Sequence, residues 1–407
     1  MAGPAPARTP PLPLEEAQRR LIALAPQLSV EHRMAPECLG FYLAAPMVAR
    51  RTNPPAPLSA MDGYALRAAD LPGPWRVIGE SAAGHPFPGI IAAGEAIRIS
   101  TGAVVPGSAD MILLQEDTAR EGDALALTGT PPSPTDRHIR PAGMDFWQDT
   151  PLLAPGSRLG AAQIALAIAG GHTHLPVRRA VKLAIIDSGD ELAAVGKTPG
   201  PAQIPASNGT MLAVMAAQIP VEVSRLGPVP DRLEALVAAF DAGHGADVIV
   251  TSGGASVGDH DLIRPALEAA GAKISFWRVG IKPGKPLLVA QRGHQVILGL
   301  PGNPASAYVT AYLFMLPLLR AALGAAYPLP RAFRAPLAAD LPGGGSRMEF
   351  LRAHWDGEQV TLGSLQDSGM LTPLAHANAL IQRAAGAPLA PAGSFVPVYL
   401  LESGGYA

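Results

Sequence analysis

The sequence predicts a multidomain α/β protein built around a doubly wound parallel sheet. Three observations carry that expectation. From Val181 onward, short apolar runs alternate with helical patterns. Loops rich in Gly or Pro follow several of those runs, and segments that read as mainly β lie on both sides of the alternating region. With 407 residues, the chain has room for roughly two to four compact units.

Composition narrows the function classes. Hydrophobic residues make up 48% and charged residues 16%, which favours a large buried core over disorder. A formal net charge of −2 supplies no cationic field for a duplex, so no nucleic-acid partner is expected. Cys38 is the one cysteine, so no intrachain disulfide can form. The sequence shows no secretory leader and no apolar run that reads as a membrane span, so a cytoplasmic protein with no membrane partner is expected. Met1 to Pro13 holds five prolines and reads as a frayed lead-in.

Leu14, Ala17, Leu21 and Leu24 recur at helical spacing between charged residues, which predicts a first amphipathic helix over 14–24. Between about Ala45 and Leu153 short apolar runs such as 75–78 and 109–114, broken by Pro and Gly, predict a β unit. Strands are then expected at 181–186, 221–226, 247–251, 274–278 and 296–300. Helices are expected to open at Asn208 and Asp231, to cover 262–270, and to close the series as one long apolar helix over 305–323. Runs at 348–354 and 395–401 predict a small C-terminal β unit.

In a doubly wound sheet ligands lie at the carboxyl ends of the strands, so the loops after Ile186, Thr251 and Leu300 are the informative ones. Thr251-Ser-Gly-Gly-Ala-Ser-Val-Gly-Asp-His-Asp261 offers glycines for close backbone approach, hydroxyls and carboxylates. A Gly-Gly pair alone reads better as an ordinary turn; the added side chains favour a site. Ile281-Lys-Pro-Gly-Lys-Pro286 holds two lysines on a loop stiffened by proline, which suits a small dianion better than two solvated lysines would. Gly299-Leu-Pro-Gly-Asn-Pro-Ala-Ser306 can start a helix at Asn303 or Pro304 and leave free amides in the crevice.

Asp187-Ser-Gly-Asp-Glu191 is dense in carboxylates, which either bind a hard cation or cap and flank turns. Asp231 sits where the N-cap of a 232–240 helix belongs, and local sequence favours capping. His172 and His174 have no third metal ligand nearby and read as ordinary polar positions.

Seven segments in order resemble the molybdopterin molybdenumtransferases, the MoeA type also found as the E domain of gephyrin. They are Ser59-Ala-Met-Asp-Gly-Tyr-Ala65; Ser100-Thr-Gly-Ala103 with Asp110 and Glu116; Arg140 to Asp145; Ser188-Gly-Asp-Glu-Leu192; Thr251 to Asp261; Ile281 to Pro286; and Gly299 to Pro304. The resemblance implies an elongated linker domain over 14–44 and 146–180, an inserted β domain over 45–145, an α/β domain over 181–327 and a C-terminal β barrel over 328–407. It implies a homodimer with active sites shared between subunits. The reaction implied is insertion of molybdate into adenylylated molybdopterin with release of AMP, dependent on Mg²⁺. The upstream adenylyltransferase and recipient molybdoenzymes are the further partners it suggests.

Carried over by position, Lys282, Lys285, Pro286, Ser306, Arg347 and Ser368 match the molybdate pocket. Ser252, Gly253, Gly254, Ser256, Pro301 and Asn303 match the pterin-nucleotide crevice. Asp231 and Asp261 match acidic positions tied to Mg²⁺; Asp62, Thr101, Asp145 and Glu191 match other positions needed for activity. The chain departs from the family at Asp187-Ser188 (usually Ser-Thr or Pro-Thr), Met144 (usually Glu) and Arg278 (a Lys in related chains). The competing readings are the adenylyltransferase, which lacks the flanking domains, and a non-catalytic molybdopterin carrier or assembly scaffold, which has little use for the acidic set.

Overall fold

The computed structural model describes residues 10–253 and 262–401. Its centre is a six-stranded sheet in the spatial order Val221–Val229, Val181–Ser188, Val248–Ser252, Gln295–Leu300, Leu288–Arg292 and Lys273–Trp277. The first four strands run parallel. Val181–Ser188 is buried at every position but Lys182, as expected for a parallel strand covered on both faces. Alternate residues feed two cores. Leu183, Ile185, Val250 and Leu298 face Leu21, Leu212, Tyr308 and Phe314 on one side. Ala184, Ile186, Ile249 and Ile297 face Leu236, Phe240, Ile263 and Leu267 on the other.

Leu288–Arg292 runs antiparallel to both neighbours, a strand that the sequence reading leaves out. Strict strand-helix alternation assumes a crossover after every strand. Here a tight turn joins Arg292 to Gln295, with Gly293 at φ 61°, so no helix intervenes and no helical signal marks it.

The long helix opens at Pro304 and runs to Ala322, with a π-helical turn at Ala311–Met315. Pro317 has no N–H for the carbonyl four residues earlier, which is Leu313's. Gln18 from the first helix, Leu14–Ala23, supplies the missing donor: its Nε2 lies 2.9 Å from the Leu313 oxygen, in a buried setting. The 304–322 segment is long and apolar enough to cross a membrane, contrary to the expectation from the sequence. It is nevertheless 89% buried within the protein, as a core helix is.

A second six-stranded sheet contains Met111–Leu114, Gly63–Leu66, Glu95–Ile99, Trp75–Ser81, Ala124–Leu127 and Thr118–Glu121. On either side of it in sequence, Val30–Met34 and His174–Arg178 pair antiparallel, so the chain leaves for the β unit and returns beside its own exit. His172 Nε2 donates to the Val48 oxygen at 2.8 Å, a structural bond.

At the C-terminus, Phe333–Pro336, Phe395–Leu400, Ala379–Arg383, Met348–Trp355 and Val360–Leu362 follow one another by antiparallel pairing. A Leu337–Val360 bridge closes the ring, with the Ala338 N–H 3.0 Å from the Val360 oxygen. Ala353, Val360, Ile381, Val396 and Val398 fill its interior.

Candidate active site at the carboxyl ends of the strands

Sheet register places Asp187 opposite Ser252, and Ser252 opposite Leu300, so three strand ends open side by side. Gly253 turns the chain out of its strand at φ 102°, and a Cβ there would lie 2.3 Å from the Ser188 oxygen. Only glycine fits. Asn208, at the start of the Asn208–Ala216 helix, donates Nδ2 to Ser252 Oγ at 2.9 Å and to the Gly302 oxygen at 2.7 Å.

A cavity of 340 Å³ opens among these groups, lined by Asp187, Ser188, Glu191, Asn208, Ser252, Gly253 and Gly302 among others. Among the described residues, Ser188 Oγ, Thr251 Oγ1 and Asp187 Oδ1 are buried without a partner. Buried polar atoms rarely go unpaired, so their clustering at the strand ends marks a functional floor. Burial pushes the Asp187 carboxyl above its usual range, against the pull of Arg225, whose Nη2 is 3.6 Å away. A larger cleft of 870 Å³, near Tyr42, Arg158 and Tyr327, holds none of the predicted site residues.

The predicted oxyanion residues lie on the C-terminal sheet, the long helix and the loops beside them, and none of them lines the cavity itself. Ile281–Lys282, read from sequence as loop, is a strand that joins the C-terminal sheet, parallel to Met348–Trp355. Gly284, at φ 104°, presses the same loop onto the long helix: a Cβ would meet Thr310 Cγ2 at 2.4 Å. That contact sets Lys285 and Pro286 beside the helix that carries Ser306, which is 6% exposed. Arg347 Nη1 donates to the Ile281 oxygen at 3.0 Å. Asn303, the N-cap residue of that helix, donates Nδ2 to Ser368 Oγ at 3.0 Å, and the Ala305 N–H reaches the Ser368 oxygen at 3.0 Å. Pro301 lies buried between strand and helix.

The acidic residues divide into two places. Asp231 does not cap its helix, which spans Leu233–Ala242 with Arg232 as the N-cap residue and no side-chain cap bond. Its backbone N–H instead binds Asp190 Oδ1 at 3.2 Å. Burial, then the charges of Asp190 and Glu191, raise the Asp231 carboxyl above its usual range. Among the described residues no trio of His, Cys, Asp or Glu is assembled to hold a metal.

In the inserted β region, Asp62 Oδ1 accepts from the Thr101 amide at 2.6 Å and its hydroxyl at 2.9 Å, which holds Asp62 below the usual range. Asp145 Oδ2 accepts from Asn53 Nδ2 at 3.1 Å. Asp62, Thr101 and Asp145 do not line the crevice cavity of their own chain. Gly254, Ser256 and Asp261 lie outside the described residues.

Sequence reasoning singled out neither Asn208 nor Glu349, whose Oε1 is 3.0 Å from Lys282 Nζ. Asn208 reads locally as a helix start, and Glu349 as one polar residue in a strand; only the tertiary arrangement gives either a partner.

Fold and crevice together define a multidomain α/β protein with a binding crevice at the carboxyl ends of its parallel strands. Three family models match in turn: the MoeA N-terminal region (domain I and II) over 12–171, a probable molybdopterin binding domain over 184–321, and the MoeA C-terminal region (domain IV) over 334–401. The molybdopterin molybdenumtransferase of Haemophilus influenzae is 32% identical, over 84% of this chain and 86% of that protein. The Bacillus subtilis protein of the same name is 31% identical, over 96% and 94%. A solved structure of MoeA from Pyrococcus horikoshii superposes with a TM-score of 0.79 at 29% identity, over 96% of this chain and 99% of that one. The chain belongs to the MoeA family of molybdopterin molybdenumtransferases, transferases of molybdenum-cofactor biosynthesis.

Proposed function

We propose that the chain inserts molybdate into adenylylated molybdopterin and releases AMP. One observation carries the reading: Arg347 binds the Ile281 carbonyl beside Lys282, and Ser368 binds Asn303 at the head of the helix that carries Ser306, next to Gly302 of a crevice whose floor holds polar atoms with no partner among the described residues. A tetrahedral dianion needs positioned cations and hydroxyl donors, and this rim supplies both. The strand-end loops at Ser252–Gly253 and Pro301–Asn303 would hold the pterin nucleotide, with Asn208 fixing their spacing.

Cleavage of the phosphoanhydride requires neutralised charge. Mg²⁺ supplies that when bound, and Asp231 with Asp261 would hold it. The donor set suits Mg²⁺: burial and two neighbouring carboxylates disfavour a bare charge on Asp231, and this ion is commonly held by one or two carboxylates plus substrate phosphates. Asp62, Thr101 and Asp145 serve the crevice of a second subunit in this reading, so the working form is a homodimer in the cytoplasm.

The test is product formation. The chain, adenylylated molybdopterin and Mg²⁺ are incubated with or without molybdate, and the product is offered to a molybdoenzyme freed of its cofactor. Activation that needs both chain and molybdate is expected. Activation that proceeds equally without the chain would overturn the assignment.

A further inference from the structure

Lys282 does not stand free at the oxyanion rim. Strand register places it opposite Glu349 of the C-terminal sheet, and its ammonium lies 3.0 Å from Glu349 Oε1. The pair is lopsided: the Glu349 side chain is 10% exposed, the Lys282 side chain 55%. An ammonium carries three donors, so one is committed to Glu349 while the others remain for a ligand on the open side. Arg383, opposite Glu349 on the next strand, gives its guanidinium to the Pro342 and Pro388 carbonyls. Among the described residues, Lys282 is the ion-pair partner of Glu349.

We propose that Glu349 is a specificity-determining and positioning residue for the oxyanion, an inference that rests on the assignment of Lys282, Lys285 and Arg347 to that pocket. Glu349 acts in two ways. It fixes where the Lys282 ammonium sits, which sets the width of the pocket. It also cancels part of the field of three cations, so that a dianion cannot be captured by charge alone. Sulfate and molybdate share charge and tetrahedral shape but differ in size. A pocket governed by unscreened charge accepts both; one whose charge is trimmed and whose donors are fixed must rely on fit. Lys282 is tied to the C-terminal sheet by both the strand pairing and this ion pair, so that domain shapes the pocket even though most of the crevice belongs to the central sheet.

The test measures half-saturating molybdate and the inhibition constant for sulfate in wild type, Glu349→Gln, Glu349→Asp and Lys282→Ala. Glu349→Gln keeps an acceptor for Lys282 and removes the charge. It is expected to tighten sulfate inhibition more than it changes the molybdate requirement, lowering the molybdate-to-sulfate preference roughly two- to five-fold, the scale of a half-exposed ion pair. Glu349→Asp keeps the charge but withdraws it from Lys282, and should fall between. It carries the same comparison should the Gln variant not fold. A residue that only held the strands together would alter stability and leave the preference alone. If Lys282→Ala leaves the molybdate requirement unchanged, the pocket assignment itself fails. If Lys282→Ala raises the requirement while both Glu349 variants keep the wild-type preference, the pocket stands and the role of Glu349 is overturned.

Discussion

Asn208 and Ser252 are joined side chain to side chain, Nδ2 to Oγ at 2.9 Å, while the same Nδ2 also reaches the Gly302 carbonyl at 2.7 Å. One amide thus ties a helix start to the loops after two strands. Asn208→Ala removes both bonds, each worth about 0.5–1.5 kcal/mol. Half-saturating pterin nucleotide should rise roughly five-fold, and at most about 150-fold if both bonds are lost at their full worth, with the molybdate requirement little changed. A binding titration with wild-type affinity would show that the crevice does not depend on this bridge.

Sharing of sites between subunits is open to complementation. At molybdate well below the half-saturation of the lysine variant, Asp62→Asn and Lys285→Ala should each be nearly inactive alone. When the two are mixed and allowed to exchange subunits, about half the dimers are mixed and each has one intact site, giving roughly a quarter of the wild-type rate. No recovered activity after verified exchange would place Asp62 in the same chain's site or outside any site.

Gln18 and the Leu313 carbonyl form a buried bond where Pro317 removes the helical one. Gln18→Leu fills the space but leaves an oxygen without a donor, which costs about 1–3 kcal/mol. Urea denaturation should show that loss with turnover unchanged. Equal stability would mean that the π-helical turn satisfies the carbonyl unaided.

Asp247 is 3% exposed and accepts from Arg179 Nη1 and Nη2 at 2.7 and 2.8 Å and from the Lys182 amide at 2.8 Å. Burial alone would raise its pKa, but those bonds outweigh burial and the net direction is down. A carboxyl whose pKa is lower folded than unfolded stabilises the protein above the usual carboxylate range. That contribution is lost as pH falls through the depressed folded value. Asp247→Asn should therefore cost about 2 kcal/mol at neutral pH, less than a fully buried pair because Arg179 is 32% exposed. The deficit should shrink in acid. A deficit that stays constant from neutral to acid pH would contradict the assignment.

The alternating half of the fold was legible because buried parallel strands such as Val181–Ser188 are nearly continuous apolar runs. Leu288–Arg292 was not, since a hairpin leaves no helix to announce it. The oxyanion rim could be named from loop chemistry at Lys282 and Lys285, yet its coupling to Glu349 depends on a pairing between residues 67 apart in sequence. Asp231 shows the opposite failure: a good capping residue type in a plausible place, with the helix starting two residues later and its backbone turned to Asp190. Local propensity could not register the carboxylates across the crevice.

The most direct test counts AMP and pterin-bound molybdenum in the same reaction while molybdate is titrated against a fixed amount of adenylylated molybdopterin. Wild type should release AMP in step with molybdenum gained, and only as molybdate is added. Lys285→Ala and Arg347→Ala each remove a charged donor worth about 1.5–3 kcal/mol, so half-saturation should move roughly ten-fold or more to higher molybdate. AMP release indifferent to molybdate, or unchanged half-saturation in both variants, would contradict transfer at this crevice.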